Sequence, residues 1–468
     1  MIVMKFGGTS VADQAAIERL MAIVRAARQV AIQPESEDWR GPIVVVSALG
    51  GVTDRLLGMA AEAGAGDAEG ARANVRALCA RHLEVASVIE DGPERREVER
   101  FVAGQCEELE RIAGALSVLR DVTPRWLDAI AATGEILSSR LVAAALSSRG
   151  LSASWVDARQ VIVTTGDHTS AAPLMSETTA ALRRVVDPLL AGRRVPVIGG
   201  FVGATLGGIT TTLGRGGSDY SAALIGACLG AREIQIWTDV DGMLTADPRI
   251  VPDVRLVPHL SFAEASELAY FGAKVLHPAT IQPAVGQNIP VRILNSQRPQ
   301  DAVGTLITRE RPSTGCPLTA VASKRNVTVV DITSTRMLMA HGFLRRIFEV
   351  FEQQRTPVDV VTTSEVSVSV TVDDTRKLPD VIAGLADVAD VTREDQMAIL
   401  CAVGDGLQDD STFVAKLLQA VGGVPVRMLS QAASRRNITL VLRGADLDDA
   451  LRRVHAQFFA VPSGAALG

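Results

Sequence analysis

The sequence predicts an α/β protein in which a mostly parallel sheet lies between helical layers and two small βαββαβ units follow. Three observations carry that prediction. The first 300 residues alternate short apolar runs with helical patterns, the rhythm of parallel strands joined by crossover helices. A stretch rich in Pro, Gly and Arg, SQRPQDAVGTLITRERPSTGCPLT at 296–319, then marks a boundary. Beyond it, one order of strand, helix, strand, strand and helix occurs twice.

The strands of the first part read as IVMKF (2–6), PIVVVSAL (42–49), VPVIGGFVG (195–203), EIQIWTD (233–239) and PVRIL (290–294). After the first of them, Ile17, Leu20, Met21 and Val24 keep the i, i+3, i+4, i+7 spacing of an amphipathic helix. Residues 68–120 break the rhythm with a long helical excursion carrying many Arg and Glu, expected as a subdomain or lid. Past the boundary, VTVVDI, a loop with Gly342, FLRRIFEVFEQQ, PVDVVTTS and VSVSVTV form one copy, with a further helix pattern at 379–387. AILCAVG, TFVAKLLQAV, PVRMLSQ and ITLVL form the other, with a helix pattern at 445–457. Each is a ferredoxin-like βαββαβ unit, and two copies are too few for a solenoid.

Composition narrows the function. A chain of 468 residues has room for two or three domains with sizeable cores. A net charge of −6 and only two tyrosines argue against a nucleic-acid surface, so an anionic ligand must be met by a few focused cations. Cys79, Cys106, Cys228, Cys316 and Cys401 are odd in number and widely spaced, without C-x-x-C, which suggests neither a disulfide framework nor a zinc site. The histidines are scattered, and no H-E-x-x-H occurs. The N-terminus has no secretory pattern, and no apolar run approaches the roughly 18 residues of a membrane span. The expectation is a reduced, soluble, cytoplasmic protein with neither nucleic acid nor membrane as partner.

Five stretches can carry chemistry. In KFGGTS (5–10) Lys5 ends a strand, and Gly7 and Gly8 let backbone approach a ligand. Ser10 with Asp13 can cap the next helix, whose N-terminus would favour an anion; the alternative is a plain strand–turn–helix with a surface lysine. In TTLGRGGSDYSAALIGACLGA (211–231) Arg215 stands among glycines, followed by Ser218 and Asp219 at the mouth of an apolar helix, where arginine can grip a carboxylate bidentately. IWTDVDGMLTADPR (236–249) ends a strand in Thr238 and Asp239, then carries Asp241, Leu244, Asp247 and Arg249; it could hold an adenosine, order Mg²⁺, or be a solvated acidic loop. SFAEASELAYFGAKVLHPAT (261–280) opens with a capping box, Ser261 and Glu264, and sets Lys274 just past its helix. ATGEILSS (132–139) places Glu135 between small residues and an apolar helix, where a solvated glutamate is the plain alternative.

Together, in this order, KFGGTSVAD, SALGGVTD, ATGEILSSRL, TTLGRGGSDYSAAL, WTDVDG, ADPR and FGAKVLHPAT resemble the aspartate kinases of the amino-acid kinase superfamily over residues 1 to about 460. The C-terminal repeat resembles the paired ACT domains of that family, and MLMAHGFL (337–344) with VDVVTTSEVSVSV (358–370) is most similar to its lysine-sensitive branch. The resemblance implies an amino-acid kinase catalytic domain at 1–308 and ACT regions at 318–396 and 397–462, with interleaved strands as an alternative. It implies that ATP with Mg²⁺ phosphorylates the β-carboxylate of L-aspartate, giving 4-phospho-L-aspartate, the entry to lysine, threonine and methionine synthesis. An aspartate carboxylate, with a pKa of about 3.9, is already ionised at pH 7 and needs no general base. The difficulty is bringing two anions together, which calls for positioning and positive charge.

In that reading Lys5 and Lys274 neutralise the transferred phosphoryl group, Gly7 and Gly8 cradle phosphates, and Asp219 orients Lys5 or the amide donors. Arg215 holds the substrate α-carboxylate, Glu135 faces its ammonium, and Ser47, Thr53 and Ser218 line the same subsite. Thr238, Asp239, Leu244 and Arg249 sit on the nucleotide side, and the metal travels with ATP rather than on protein ligands. The ACT pair implies a homo-oligomer, dimer or tetramer, with L-lysine as effector near Met337, Gly342, Leu344, Val358, Asp359, Thr363, Ser364 and Glu365. The chain departs from relatives at Ala340 and Pro357, where they carry serine. Two other readings are weaker. A superfamily kinase for glutamate, acetylglutamate or a nucleoside monophosphate would lack FGAKVLHP with tandem ACT repeats, and a non-catalytic amino-acid sensor would be expected to have lost Lys5, Arg215 or Lys274.

Overall fold

The computed structural model describes residues 1–31, 41–272, 278–300, 303–312, 317–334, 341–431 and 435–459. Lys274 and Met337, both expected at sites, lie outside the described residues. The chain divides into two compact units. The first comprises Met1–Met243, Pro258–Phe262 and Val275–Arg311, and the second Leu244–Val257, Ala263–Lys274 and Pro312–Gly468.

The first unit is built on strands β1 (Ile2–Phe6), β2 (Ile43–Val46), β3 (Ala153–Val156), β4 (Val195–Gly199), β7 (Glu233–Thr238), β8 (His259–Ser261), β9 (Val291–Asn295) and β10 (Thr305–Thr308). Their order in the sheet is β3-β4-β2-β1-β7-β9-β10-β8, and every neighbour is parallel except β9 with β10. β1 lies at the centre with Val3, Met4 and Phe6 buried, so its last residues open onto the strand-end side where a doubly covered sheet binds ligands. The expected strand at 195–203 is two: β4 ends at Gly199, Phe201 takes a φ of 64°, and β5 (Val202–Ala204) pairs instead with β6 (Thr210–Thr212).

Helices α1 (Gln14–Ala31), α2 (Val52–Ala65), α3 (Ala68–Ala86), α4 (Pro93–Leu119), α5 (Pro124–Ser148), α6 (Met175–Ala191) and α7 (Gly217–Leu229) belong to this unit. The helical excursion is α3 and α4, and it is neither subdomain nor lid. Val75, Leu78, Val98, Val102 and Leu109 are buried in one core with Met4, Phe6, Leu56 and Leu137. Cys79 and Cys106 join α3 to α4 in a disulfide, a pairing that their spacing did not suggest. Against the expectation that no stretch is long and apolar enough, α5 has the length and hydropathy of a membrane span, yet 89% of its apolar window is buried inside the protein. It is the core helix of the unit.

The second unit carries a six-stranded sheet of order β12-β13-β11-β14-β16-β15, where β11 is Leu318–Thr333, β12 Val361–Thr363, β13 Ser367–Val372, β14 Asp390–Gly404, β15 Met428–Gln431 and β16 Asn437–Arg443. β11 and β14 are long antiparallel partners that serve two cores. Val330 and Ile332 pack with Phe343, Ile347, Val368 and Leu385, whereas Leu318 and Val321 pack with Phe413, Leu417, Leu440 and Leu451. Ala246 and Val251 join the latter core, so the ADPR turn packs with this unit. α8 (Phe262–Tyr270) is fixed here by side chains: Thr319 Oγ1 donates to Glu264 at 2.6 Å, and Asn437 bonds Glu267.

Candidate active site

The site grows from the end of β1. Lys5 is buried to 8% exposure, and its Nζ lies 2.6 Å from Asp219 Oδ1. Phe6 carries the chain into a tight turn at Gly8–Val11, in which the Gly7 N–H donates to the Trp237 carbonyl at 3.0 Å. That bond fixes the loop to β7 and uses the Gly7 amide internally. Ser10 does not cap α1: its hydroxyl donates to Trp237 O at 3.2 Å and lies 2.7 Å from Ser296 Oγ. Asp13 alone caps, accepting the Ala16 N–H at 2.8 Å.

Two more loops close on this point. Ser47, after β2, donates its N–H to Phe6 O at 3.0 Å, and α5 holds the same loop through Ser138 Oγ, which donates to the Ser47 carbonyl at 2.8 Å. Gly214-Arg215-Gly216 forms the third loop. Gly216 has a φ of 71°, the left-handed region that favours glycine, and this turn starts α7 so that Ser218 and Asp219 stand in its first turn. The free N–H groups of that turn favour an anion.

A cavity of about 820 Å³ results, lined by Lys5, Gly8, Ser47, Thr53, Glu135, Arg215, Ser218 and Asp219 among others. Every substrate-side residue expected from sequence lies on it. Arg215 is exposed and has no hydrogen bond or ion pair among the described residues. Glu135 is the opposite: 4% exposed, with Oε2 lacking any partner among the described residues. Burial pushes its carboxyl up to about 8, against the pull of the Ala48 backbone hydrogen bond and the charge of Lys5. An exposed cation and a buried acid therefore share one cavity with a lysine held by an acid.

Sequence reasoning missed an anchor in the cavity wall. Asp128, 1% exposed on α5, accepts from Thr212 Oγ1 at 2.5 Å and from the Thr169 N–H at 3.0 Å, and lies 2.6 Å from His168 Nδ1. It lies seven residues before Glu135, two turns along the same face of an apolar helix, and that spacing was the available signal. Phe201, at its positive φ, also lines the cavity.

The nucleotide-side candidates divide. Thr238 ends β7 in the first unit and Asp239 follows it, joined by a 3.1 Å hydrogen bond from Thr238 Oγ1 to Asp239 Oδ1. Leu244 and Arg249 belong to the second unit, where Arg249 pairs with Asp247 at 2.6 Å and holds that carboxyl below its ordinary range.

Of the effector candidates, Gly342, Leu344, Thr363, Ser364 and Glu365 are exposed, and Val358 is half-buried. The Asp359 side chain is only 5% exposed and already held: Lys324 Nζ lies 2.9 Å from both its oxygens and 2.8 Å from Asp373 Oδ2, and Tyr270 OH donates to it at 2.9 Å. Burial lowers the pull on the Lys324 proton, but Asp373 and Asp359 outweigh it and raise its pKa. Burial and then the Asp359 charge raise that of Tyr270.

A parallel sheet ending in glycine loops, with a buried lysine and an exposed arginine on one cavity, suits the class of α/β proteins that transfer a phosphoryl group to an anionic acceptor. The chain belongs to the amino acid kinase family, whose family model matches residues 1–295, and an ACT domain model matches residues 400–458. Within that family it falls among the aspartokinases. The chloroplastic aspartokinase 2 of Arabidopsis thaliana is 37% identical over 98% of this chain and 84% of the relative. The lysine-sensitive aspartokinase 3 of Escherichia coli is 33% identical over 98% of this chain and 99% of its own. The crystal structure of E. coli aspartokinase III in complex with aspartate and ADP, an R-state, matches with a TM-score of 0.82 and 32% identity over 98% of this chain and all of that one. The T-state of that enzyme, with lysine and aspartate, matches with a TM-score of 0.79 at 31% identity.

Proposed function

We propose that the chain phosphorylates the β-carboxylate of L-aspartate with ATP, forming 4-phospho-L-aspartate, the first step toward lysine, threonine and methionine. One observation carries the reading: Arg215, without a partner among the described residues, and buried Glu135 line the same cavity as the Lys5–Asp219 pair. An α-amino acid presents a carboxylate and an ammonium, and Arg215 and Glu135 answer one each. Its second carboxylate is then free to attack, ionised at neutral pH, so no residue need act as base. Lys5 opposes the charge that gathers on the transferred phosphoryl group, and Asp219 holds its ammonium in place. Mg²⁺ would travel with ATP, held chiefly by the triphosphate. That ion would supply charge neutralisation on the β- and γ-phosphates.

ATP-dependent acyl phosphate, trapped as a hydroxamate with hydroxylamine, tests the reading across aspartate, glutamate and acetylglutamate. Product with aspartate and little with the others is expected. Absence of aspartyl hydroxamate would remove the proposal.

Regulation is part of the same proposal: L-lysine bound in the second unit inhibits, within a homo-oligomer that pairs these units. The T-state E. coli relative contains lysine, which supports this effector. In this chain Lys324 already places an ε-ammonium on Asp359, so an effector ammonium would have to displace it. Lys324→Met should therefore lower the lysine concentration for half-inhibition about tenfold, the effect of about 1.4 kcal/mol. Titration of both forms with lysine checks it; an unchanged midpoint would show that Asp359 does not receive the effector.

A further inference from the structure

The helical excursion, expected as a subdomain or lid, reaches the cavity loops through one side chain. Arg81, half-buried on α3, donates from Nη1 to the Gly50 carbonyl at 2.6 Å and from Nη2 to the Ala12 carbonyl at 3.0 Å. Gly50 belongs to the Ser47–Gly51 loop on the cavity wall, and Ala12 closes the turn that begins at Gly8. One planar guanidinium thus bridges the two loops.

Those loops meet backbone to backbone. A Cβ at Gly8 would stand 3.1 Å from the Ala48 carbonyl oxygen, and one at Gly50 would stand 3.3 Å from the Gly8 carbonyl oxygen. The closeness brings acceptors together, and among the described residues no backbone hydrogen bond links Gly8–Ala12 to Ala48–Gly51; the bond from Ser47 to Phe6 lies at their base. Two carbonyls on separate loops need two donors at a fixed separation, and arginine carries them in a rigid fork. α3 is itself anchored. Gln14 Nε2 donates to the Glu84 carbonyl at 3.0 Å, tying the start of α1 to its far end, and the Cys79–Cys106 disulfide ties it to α4.

We infer that Arg81 is a positioning residue for phosphoryl transfer: its two N–H···O=C bonds set the gap between the Gly8 turn beside Lys5 and the loop that bears Ser47 and leads into Thr53 at the start of α2. This rests on reading the cavity as the site of transfer. The Gly8 turn follows the lysine that meets the phosphoryl group, and the Ser47 loop lines the side that receives the carboxylic substrate. Reacting atoms must come within about 3–3.5 Å, and a misplacement of about 1 Å costs about 10²-fold in rate. α3 is thereby a brace for the site. A lysine at 81 could reach one carbonyl but could not hold both in one plane.

The test compares wild type, Arg81→Lys and Arg81→Ala by hydroxamate formation from aspartate and ATP, with thermal unfolding of each. Wild-type activity establishes the cavity reading independently; a wild type without product defeats that reading and this inference with it. Given an active wild type, kcat should fall about 10²-fold in Arg81→Ala and at least tenfold in Arg81→Lys, with KM for aspartate moving less than kcat. Millimolar guanidinium, which can occupy the vacated fork, should restore at least tenfold in Arg81→Ala and leave wild type unimproved. Arg81→Lys keeps the charge and the helix, so it remains informative if Arg81→Ala does not fold. A kcat within twofold of wild type in Arg81→Lys, or a lowered unfolding temperature with kcat unchanged in either variant, would overturn the inference.

Discussion

Replacing Lys5 by alanine is expected to lower kcat by about 10³-fold while KM for aspartate changes less than tenfold. The size follows from two effects with one sign. The ammonium is the buried positive charge at the end of β1, and removing a preorganised charge that meets developing negative charge costs about 10²–10³-fold. Its removal also strips Asp219 of the partner held at 2.6 Å, leaving an acid on the wall of a cavity meant to receive anions. Asp219→Asn should therefore be milder, because it loosens the lysine without stranding a charge. In the double variant, Lys5→Ala with Asp219→Asn, the loss should be smaller than the product of the single losses, the mark of residues acting as a unit. Steady-state kinetics on the four forms checks this. A Lys5→Ala enzyme within tenfold of wild-type kcat would remove the lysine from phosphoryl transfer.

That pair also marks what a linear sequence exposes. Lys5 and Asp219 lie 214 positions apart, yet each sits beside glycines, and glycine betrays itself where backbone must turn with positive φ, as at Gly216, or approach other backbone, as at Gly8. Loops built by glycine were therefore legible, and with them the residues they present, Arg215, Ser218 and Asp219, whereas Ser47 and Thr53 came only through the family resemblance. The buried parallel strands were legible as unbroken apolar runs. Short strands were not. β3, β8 and β10 have three or four residues each, and β10 lies inside the stretch read as a boundary. What escaped entirely is held by tertiary packing: Asp128 with Thr212, 84 positions away, Arg81 on two carbonyls of distant loops, and Cys79 with Cys106. A carbonyl acceptor has no sequence signature, since every residue carries one. The same limit hid the division of the chain, in which Leu244–Val257 and Ala263–Lys274 leave the first unit and return to the second.

The second large effect concerns pH. With Glu135 pushed up to about 8 by burial, most of the free protein at pH 6 holds it as a neutral acid, which offers an ammonium a hydrogen bond but no charge. Binding an ammonium there requires the proton to leave, so kcat/KM for aspartate should rise about tenfold per pH unit from 6 toward 8 and level off above. Glu135→Gln cannot make that change. Its kcat/KM should be nearly flat across the range, close to wild type at pH 6 and about 10²-fold below it at pH 8.5. The unfolding equilibrium supplies an independent sign. A carboxyl raised in the folded state binds its proton more tightly there than in the unfolded chain, so its contribution is present below about pH 4.5 and is lost as pH rises through about 8. The unfolding temperature of ligand-free wild type should therefore drop more between pH 6 and 9 than that of Glu135→Gln. Aspartate should reverse the drop, because its ammonium compensates the buried carboxylate. If the two enzymes kept parallel kcat/KM profiles, the titrating group would lie elsewhere and Glu135 would not be the ammonium's partner.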